Sequence, residues 1–361
     1  MTSDKDIRLS QRALDLAALG VGQVSPNPLV GCVITDANGD VVGEGTYVYE
    51  NVTHAEVIAL DQAGERAKGG TAYVSLEPHS HFNKTPPCTE ALIDAGIVRV
   101  ICPIEDPNPK VSGKGFERLR EAGVEVVTGI LAAEAARQNE KFICWHKKGR
   151  PFVHLKLAAS LDGRISFGSS VSSALSGEAA RTRVQEMRHE HDAILIGGNT
   201  AAVDDPYLTD RSGLPRRRPL VRVVLDDRLG ISVESKLATT DTAPTIVFTA
   251  ANDAEKIARL RDRGVEVIDG GASTRDLEGV LGELKKRDIQ SILVEGGSIV
   301  AGAFASASLV DKVTFIYAPL VIGGGDAPVA IGGSGDSVGL KLRDVTTATL
   351  GDDIEITGYP I

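Results

Sequence analysis

Thr53-His54-Ala55-Glu56-Val57-Ile58-Ala59-Leu60 opens a helix, and two short pieces downstream, Leu76-Glu77-Pro78-His79 and Pro86-Pro87-Cys88, lead from the next strand to the next helix. Histidine at two of these places and cysteine at the third make the N/S donor set of a hydrolytic zinc site, which takes three protein ligands and keeps its fourth position for water. Such a water ionises near neutral pH and becomes a nucleophile. Glu56, two residues from His54 and not itself a ligand, is placed to carry protons from water to a ring nitrogen and on to departing ammonia. The spacing is a variant of the zinc-deaminase pattern H-x-E…P-C-x-x-C: H-x-E is intact, and the downstream half reads Pro78-His79, then Pro87-Cys88. Cys88 near a helix start has its thiolate favoured by the helix dipole as well as by a metal. Two blander readings compete. Thr53-x-x-Glu56 is formally a capping box, and Pro86-Pro87 suits a first helical turn that leaves Cys88 a small buried hydrophobe.

Working outward, strand-like and helix-like segments alternate along the whole chain, the signature of α/β architecture. The first half predicts helices at Ile7–Leu19, His54–Ala63, Pro86–Ala95, Gly115–Ala122 and Leu131–Trp145. Between them lie strands Leu29–Thr35, Val41–Gly45, Ala72–Leu76, Val98–Pro103 and Val124–Thr128. The basic run Lys147-Lys148-Gly149-Arg150-Pro151 then ends a helix and marks a domain boundary, giving domains 1–148 and 149–361. A second block predicts strands Phe152–Ala158, Ala193–Gly197, Val221–Leu225, Thr245–Thr249, Val265–Asp269, Ser291–Val294 and Val313–Ala318.

Length agrees with two domains, since 361 residues exceed what one core usually supports. A net charge of −10 argues against a general nucleic-acid or anionic-membrane binder, so a phosphate-bearing ligand has to be met by local basic residues or backbone amides. Four cysteines in so long a chain are no disulfide framework and fit a reducing compartment. Neither a signal core nor an apolar run of about 18 residues is found, so the expected location is cytoplasmic. Cys32 and Cys102 fall in predicted strands and are expected in the core.

Further motifs carry a resemblance. Ser25-Pro-Asn-Pro-Leu-Val-Gly31, His54-Ala-Glu56, Leu76-Glu-Pro78, Ser80-His81, Thr85-Pro-Pro-Cys88 and Asp106-Pro-Asn-Pro109 resemble the bifunctional deaminase/reductase family of riboflavin biosynthesis. The likeness continues through Leu155-Lys156-Leu-Ala-Ala-Ser-Leu-Asp-Gly163, Asp204-Asp-Pro206 and Val294-Glu-Gly-Gly297, covering nearly the whole chain in order. It implies a cytidine-deaminase-like α/β/α domain followed by a dihydrofolate-reductase-like α/β domain. It also implies hydrolytic removal of the 2-amino group of a phosphoribosylated diaminopyrimidinone, then reduction of ribosyl to ribityl with NADPH. Zinc would sit on His54, His79 and Cys88, with Glu56 moving protons. Asn27, His81 and Lys84 would contact the substrate, Lys84 through its phosphate. The chain departs from the family pattern where His79 stands for a cysteine, Tyr47 for a substrate-facing histidine, and Asn83-Lys84 for glycine and a basic residue. Imidazole remains a sound zinc ligand.

In the second half, Ser291-Ile-Leu-Val-Glu-Gly-Gly-Ser298 reads as a strand, a glycine turn and a helix from Ile299, a geometry suited to a pyrophosphate at a helix start. Ile322-Gly-Gly-Gly-Asp326 is a second glycine turn. Neither is the G-x-G-x-x-G fingerprint of ordinary dinucleotide folds, and either alone reads as a plain loop. The resemblance implies Lys156 as a catalytic residue. Ser172, Arg188, Leu208, Arg211 and Glu295 would face the sugar phosphate. Ala158, Ala174, Thr200, Asp204, Gly296, Gly297 and Ser298 would lie with the cofactor. Ala174 replaces a family tryptophan, so looser cofactor packing is expected there. Arginines suit a phosphate through paired donors, although Arg188 and Arg211 read equally as a solvated face. Arg216-Arg217-Arg218 between prolines reads as an exposed loop.

Besides the bifunctional enzyme, three readings stay open: a single-activity member, a non-catalytic nucleotide-binding regulator, and a nucleic-acid base deaminase, which the acidic balance disfavours. A homo-oligomer, dimer or tetramer, is implied by the resemblance alone.

Overall fold

The structure is a computed structural model that describes residues 3–80, 86–171, 173–269, 274–333 and 339–361. It divides into two compact units, Met1–Gly149 with Pro215–Arg217, and Arg150–Leu214 with Arg218–Ile361.

The first unit is built on strands β1 (Gly31–Thr35), β2 (Val41–Thr46), β3 (Thr71–Val74), β4 (Arg99–Cys102) and β5 (Glu125–Thr128), in the order β2-β1-β3-β4-β5. β1 runs antiparallel to both its neighbours, and the remaining pairs are parallel. Helices α1 (Asp4–Ala18), α2 (Ala55–Ala63), α3 (Cys88–Asp94), α4 (Lys114–Glu121), α5 (Ala132–Gln138) and α6 (Glu140–Lys147) complete it. Strand alternation sorts the core into two layers. Cys32, Ile34, Val100 and Cys102 point to α2, α3 and α4, meeting Ala55, Ala59, Leu92 and Phe116. Val33, Tyr73 and Ile101 point the other way, onto Leu9, Ala13 and Leu16 of α1. The result is the α/β/α sandwich the resemblance implies.

α2 lies unusually close to the sheet. A Cβ on Gly45 would sit 2.1 Å from the Ala55 carbonyl oxygen, and one on Gly43 2.0 Å from that of Ala59. Only glycine on β2 and alanine on α2 permit this approach, and it fixes the helix start that carries His54 and Glu56.

The predicted helix Leu131–Trp145 is two helices. Asn139 leaves the helical region (φ −101°, ψ 21°), and its side chain clasps Leu29 at both backbone atoms: Oδ1 accepts from Leu29 N at 2.9 Å, and Nδ2 donates to Leu29 O at 3.0 Å. Two partly buried hydrogen bonds to the strand entry outweigh helix continuity.

The second unit holds β6 (Phe152–Ser160), β7 (Ala193–Gly197), β8 (Val221–Leu225), β9 (Thr245–Phe248), β10 (Glu266–Ile268), β11 (Ser291–Val294), β12 (Lys312–Ala318), β13 (Leu342–Leu350) and β14 (Asp353–Pro360). Their order is β10-β9-β8-β7-β11-β6-β12-β14-β13, parallel as far as β12, with β14 and β13 antiparallel at the edge. Helices α7 (Glu178–Glu190), α8 (Gly198–Asp204), α9 (Lys236–Thr239), α10 (Ala254–Asp262), α11 (Leu277–Lys285) and α12 (Ser298–Ser306) form the connections. From β7 the chain proceeds outward to β8; from β11 it proceeds past β6 to β12. The strand order therefore reverses between β7 and β11, and a crevice at their carboxyl ends is where open α/β sheets bind ligands. The β13–β14 hairpin has no counterpart in the sequence reading. β13 is exposed along nearly its whole length, so it lacks the apolar alternation that betrays a strand.

Candidate active sites

In the first unit His54 is the N-cap residue of α2, with extended backbone, and Cys88 is the first residue of α3. His79 lies on the segment leaving β3. Their donor atoms all fall within 4.8 Å of one another. His54 Nδ1 is 3.3 Å from Cys88 Sγ, and the two imidazole centroids are 4.6 Å apart. Cys88 is fully buried. Burial, reinforced by the Glu56 carboxylate, pushes its thiol well above the ordinary range, so a thiolate here needs a cation beside it.

Glu56 is also buried, and its Oε2 has no hydrogen-bond partner. The capping-box reading fails at both ends: α2 has no side-chain cap, and the Thr53 hydroxyl donates instead to the Asn51 carbonyl. A buried carboxylate oxygen left open beside a His/His/Cys donor set fits zinc plus a water, and the residues present suit that group.

Asn27 connects to His54 through Tyr47. Its Nδ2 donates to the Tyr47 hydroxyl at 2.6 Å, and the Tyr47 ring meets His54 edge-on with centroids 5.5 Å apart. His81, Asn83 and Lys84 lie outside the described residues. Two acids escaped the sequence reading. Glu77 accepts from three backbone N–H groups, those of Asp106, Gly113 and Gly115, at 2.8–3.0 Å, tying the following loop to the strand end that carries His79. Burial pushes Asp106 up to about 6, with the Asn108 N–H opposing. The signals were present in Leu76-Glu-Pro78 and Asp106-Pro-Asn-Pro109, but nothing in sequence says which backbone a carboxylate will cap.

In the second unit, alternation on β6 sends Leu155, Leu157 and Ala159 into the core and puts Lys156 and Ala158 on the opposite face. The register Val294↔Leu155 sets Glu295 alongside Lys156. Glu295 takes a two-pronged ion pair from Arg188, Nε to Oε1 at 2.8 Å and Nη2 to Oε2 at 3.0 Å. Burial opposes ionisation of Glu295, but Arg188 and Lys156 prevail and hold it below the usual carboxylate range. Burial draws Lys156 down, Glu295 resisting. The structure thus gathers Lys156, Arg188 and Glu295 into one buried charged cluster, and Arg188 is no solvated residue.

The helix starts at the switch point touch. A Cβ on Gly297 would lie 3.1 Å from Thr200 Oγ1, and one on Gly296 would meet Val300 at 2.8 Å. Gly297, the N-cap of α12, therefore adjoins Thr200 on α8, and Asp204 sits one turn further along that helix, exposed. Leu208 is buried with a left-handed backbone (φ 48°), whereas Arg211 is exposed. Ala174 lies exposed on the loop after β6, and Ser172 lies outside the described residues. In the arginine run, Arg218 pairs with Asp192 at 3.5 Å rather than standing in solvent. Among the described residues no helix is long and apolar enough to cross a membrane.

Fold and sites together define a bifunctional enzyme, a zinc-type deaminase domain followed by an α/β reductase domain. Comparison with known proteins agrees. Residues 3–104 match the cytidine and deoxycytidylate deaminase zinc-binding region, and residues 151–356 match the RibD C-terminal domain. The riboflavin biosynthesis protein RibD of Bacillus amyloliquefaciens is 41% identical over 96% of this chain and 94% of its own length. That of Aquifex aeolicus is 38% identical over 99% of both. Among solved structures, RibD of Acinetobacter baumannii superposes with a TM-score of 0.88 at 34% identity, covering 99% of each chain. A Thermotoga maritima diaminohydroxyphosphoribosylaminopyrimidine deaminase/5-amino-6-(5-phosphoribosylamino)uracil reductase gives 0.87 at 35% identity with the same coverage. The chain belongs to the RibD family of riboflavin biosynthesis proteins.

Proposed function

We infer that residues 1–148 deaminate 2,5-diamino-6-(5-phosphoribosylamino)pyrimidin-4(3H)-one, and that residues 149–361 reduce the ribosyl group of the product to ribityl with NADPH. The observation that carries the first step is the open Glu56 carboxylate oxygen beside the His54, His79 and Cys88 donors. When bound, zinc supplies the Lewis acidity that makes a water nucleophilic near neutral pH. Glu56 then holds the proton at Oε2 and passes it to the ring nitrogen and the leaving amine. Asn27, held by Tyr47, reads the pyrimidine edge, and His81 and Lys84 meet the remainder of the substrate.

For the second step Ala158, Ala174, Thr200, Asp204, Gly296, Gly297 and Ser298 would hold NADPH, which would supply the hydride. Lys156 donates a proton to the ring-opened sugar, while Glu295 binds ribose hydroxyls and Ser172, Arg188, Leu208 and Arg211 hold the phosphate end. A homo-oligomer working in the cytoplasm completes the reading. The test follows both products in one vessel: ammonia released and NADPH oxidised should each approach one equivalent per substrate. Ammonia without NADPH oxidation would leave a deaminase alone.

A further inference from the structure

We propose that His189 and Asp210 form a clasp that positions Arg211 for the substrate phosphate in the reductase site, an inference that rests on the reading of Arg211 given above. Three side chains from the second half of α7 grip the loop after Leu208. Gln185 Oε1 accepts from Arg211 N at 2.9 Å, Arg188 Nη1 donates to Thr209 O at 3.3 Å, and His189 Nδ1 meets Asp210 Oδ2 at 3.1 Å. The other Asp210 oxygen accepts from Ser212 N at 2.9 Å. Both partners of the clasp are only 5% exposed. An ionised carboxylate can only accept, so the Nδ1 of His189 carries the proton.

Every residue from Thr209 to Ser212 is therefore tethered, and the loop begins at Leu208, whose left-handed φ of 48° is a strained state that persists only where surroundings over-determine it. The Arg211 guanidinium, by contrast, makes no hydrogen bond or ion pair among the described residues and is exposed. A pinned backbone with an uncommitted cation is the arrangement that presents charge to a ligand at low entropic cost. Arg188, next to His189, also pairs with Glu295 through Nε and Nη2, so one helix turn touches both the loop that carries Arg211 and the Glu295 carboxylate.

The experiment measures steady-state reduction of the phosphoribosylaminouracil, ammonia release and NADPH binding by fluorescence on purified full-length variants. His189→Leu and Asp210→Asn should raise KM for the reductase substrate about tenfold or more while kcat, NADPH affinity and ammonia release stay near wild type. His189→Asn, which keeps a donor where Nδ1 stood, should restore KM. Arg211→Ala is the reference. If it raises KM while both clasp variants leave KM unchanged, the clasp is wrong and the site reading survives. If Arg211→Ala itself leaves KM unchanged, the site reading fails and the clasp with it. A joint fall of kcat, KM performance and NADPH affinity in His189→Leu that His189→Asn does not reverse would make the pair merely structural and overturn the proposal.

Discussion

The Tyr47 hydroxyl accepts a 2.6 Å hydrogen bond from Asn27, and the same ring stands edge-on to His54. One side chain thus joins the Asn27 amide, proposed to read the substrate, to His54 of the candidate metal site. Tyr47→Phe keeps the ring against His54 but leaves the half-buried Asn27 amide without its acceptor, at a cost of about 1 kcal/mol. The expected outcome is a higher KM for deamination with zinc content unchanged, measured by ammonia release and metal analysis. Loss of zinc would mean that the ring contact with His54 depends on the hydroxyl.

His79 stands where the family pattern has cysteine, and its ring lies 4.6 Å from that of His54. His79→Ala should lose zinc on dialysis against a mild chelator, whereas His79→Cys should retain it, since either donor suits the metal. Retention by the alanine variant would remove His79 from the ligand set and point to His81.

The Arg188–Glu295 pair is buried, and removing one partner from a buried ion pair typically costs about 3–5 kcal/mol because the other charge is stranded. Glu295→Ala should abolish reduction and lower the thermal midpoint of the reductase transition, yet leave ammonia release intact. If both activities fell in a folded protein, the two sites would not be separate.

Asp6 supplies a pH test of the deaminase fold. Burial works against its charge, but Arg99, Ser3 and Tyr73 together bring it from an ordinary 3.8 down to about 2. A carboxylate depressed in the folded state contributes stability above its unfolded value and loses it as pH falls through the folded one. Wild type should therefore lose thermal stability between about pH 4 and pH 2 more steeply than Asp6→Asn. Parallel curves would show that the Asp6–Arg99 pair contributes nothing over that range.

Much of this was legible in the residues, for reasons that differ by element. The buried parallel strands announce themselves as short apolar runs, so β7, β8 and β11 match their expected limits. The donor set His54, His79 and Cys88 was legible because a short motif fixes its own chemistry. Asn139 was not: its two bonds to Leu29 span 110 residues, and no local pattern signals that a helix will break for a distant strand. β13 of the edge hairpin was missed because exposure on both faces erases alternation. Glu77 and the His189–Asp210 pair were missed for a third reason, that a carboxylate's partners are chosen by packing rather than spacing.

The central claim is that Glu56 moves the proton in a zinc-dependent deamination. Zinc content and ammonia release should be measured together on wild type and Glu56→Gln, with the phosphoribosyl diaminopyrimidinone as substrate. One zinc per chain in both proteins, with ammonia from wild type alone, is the predicted result. A wild type without zinc, or a Glu56→Gln variant that still releases ammonia at the wild-type rate, would contradict it.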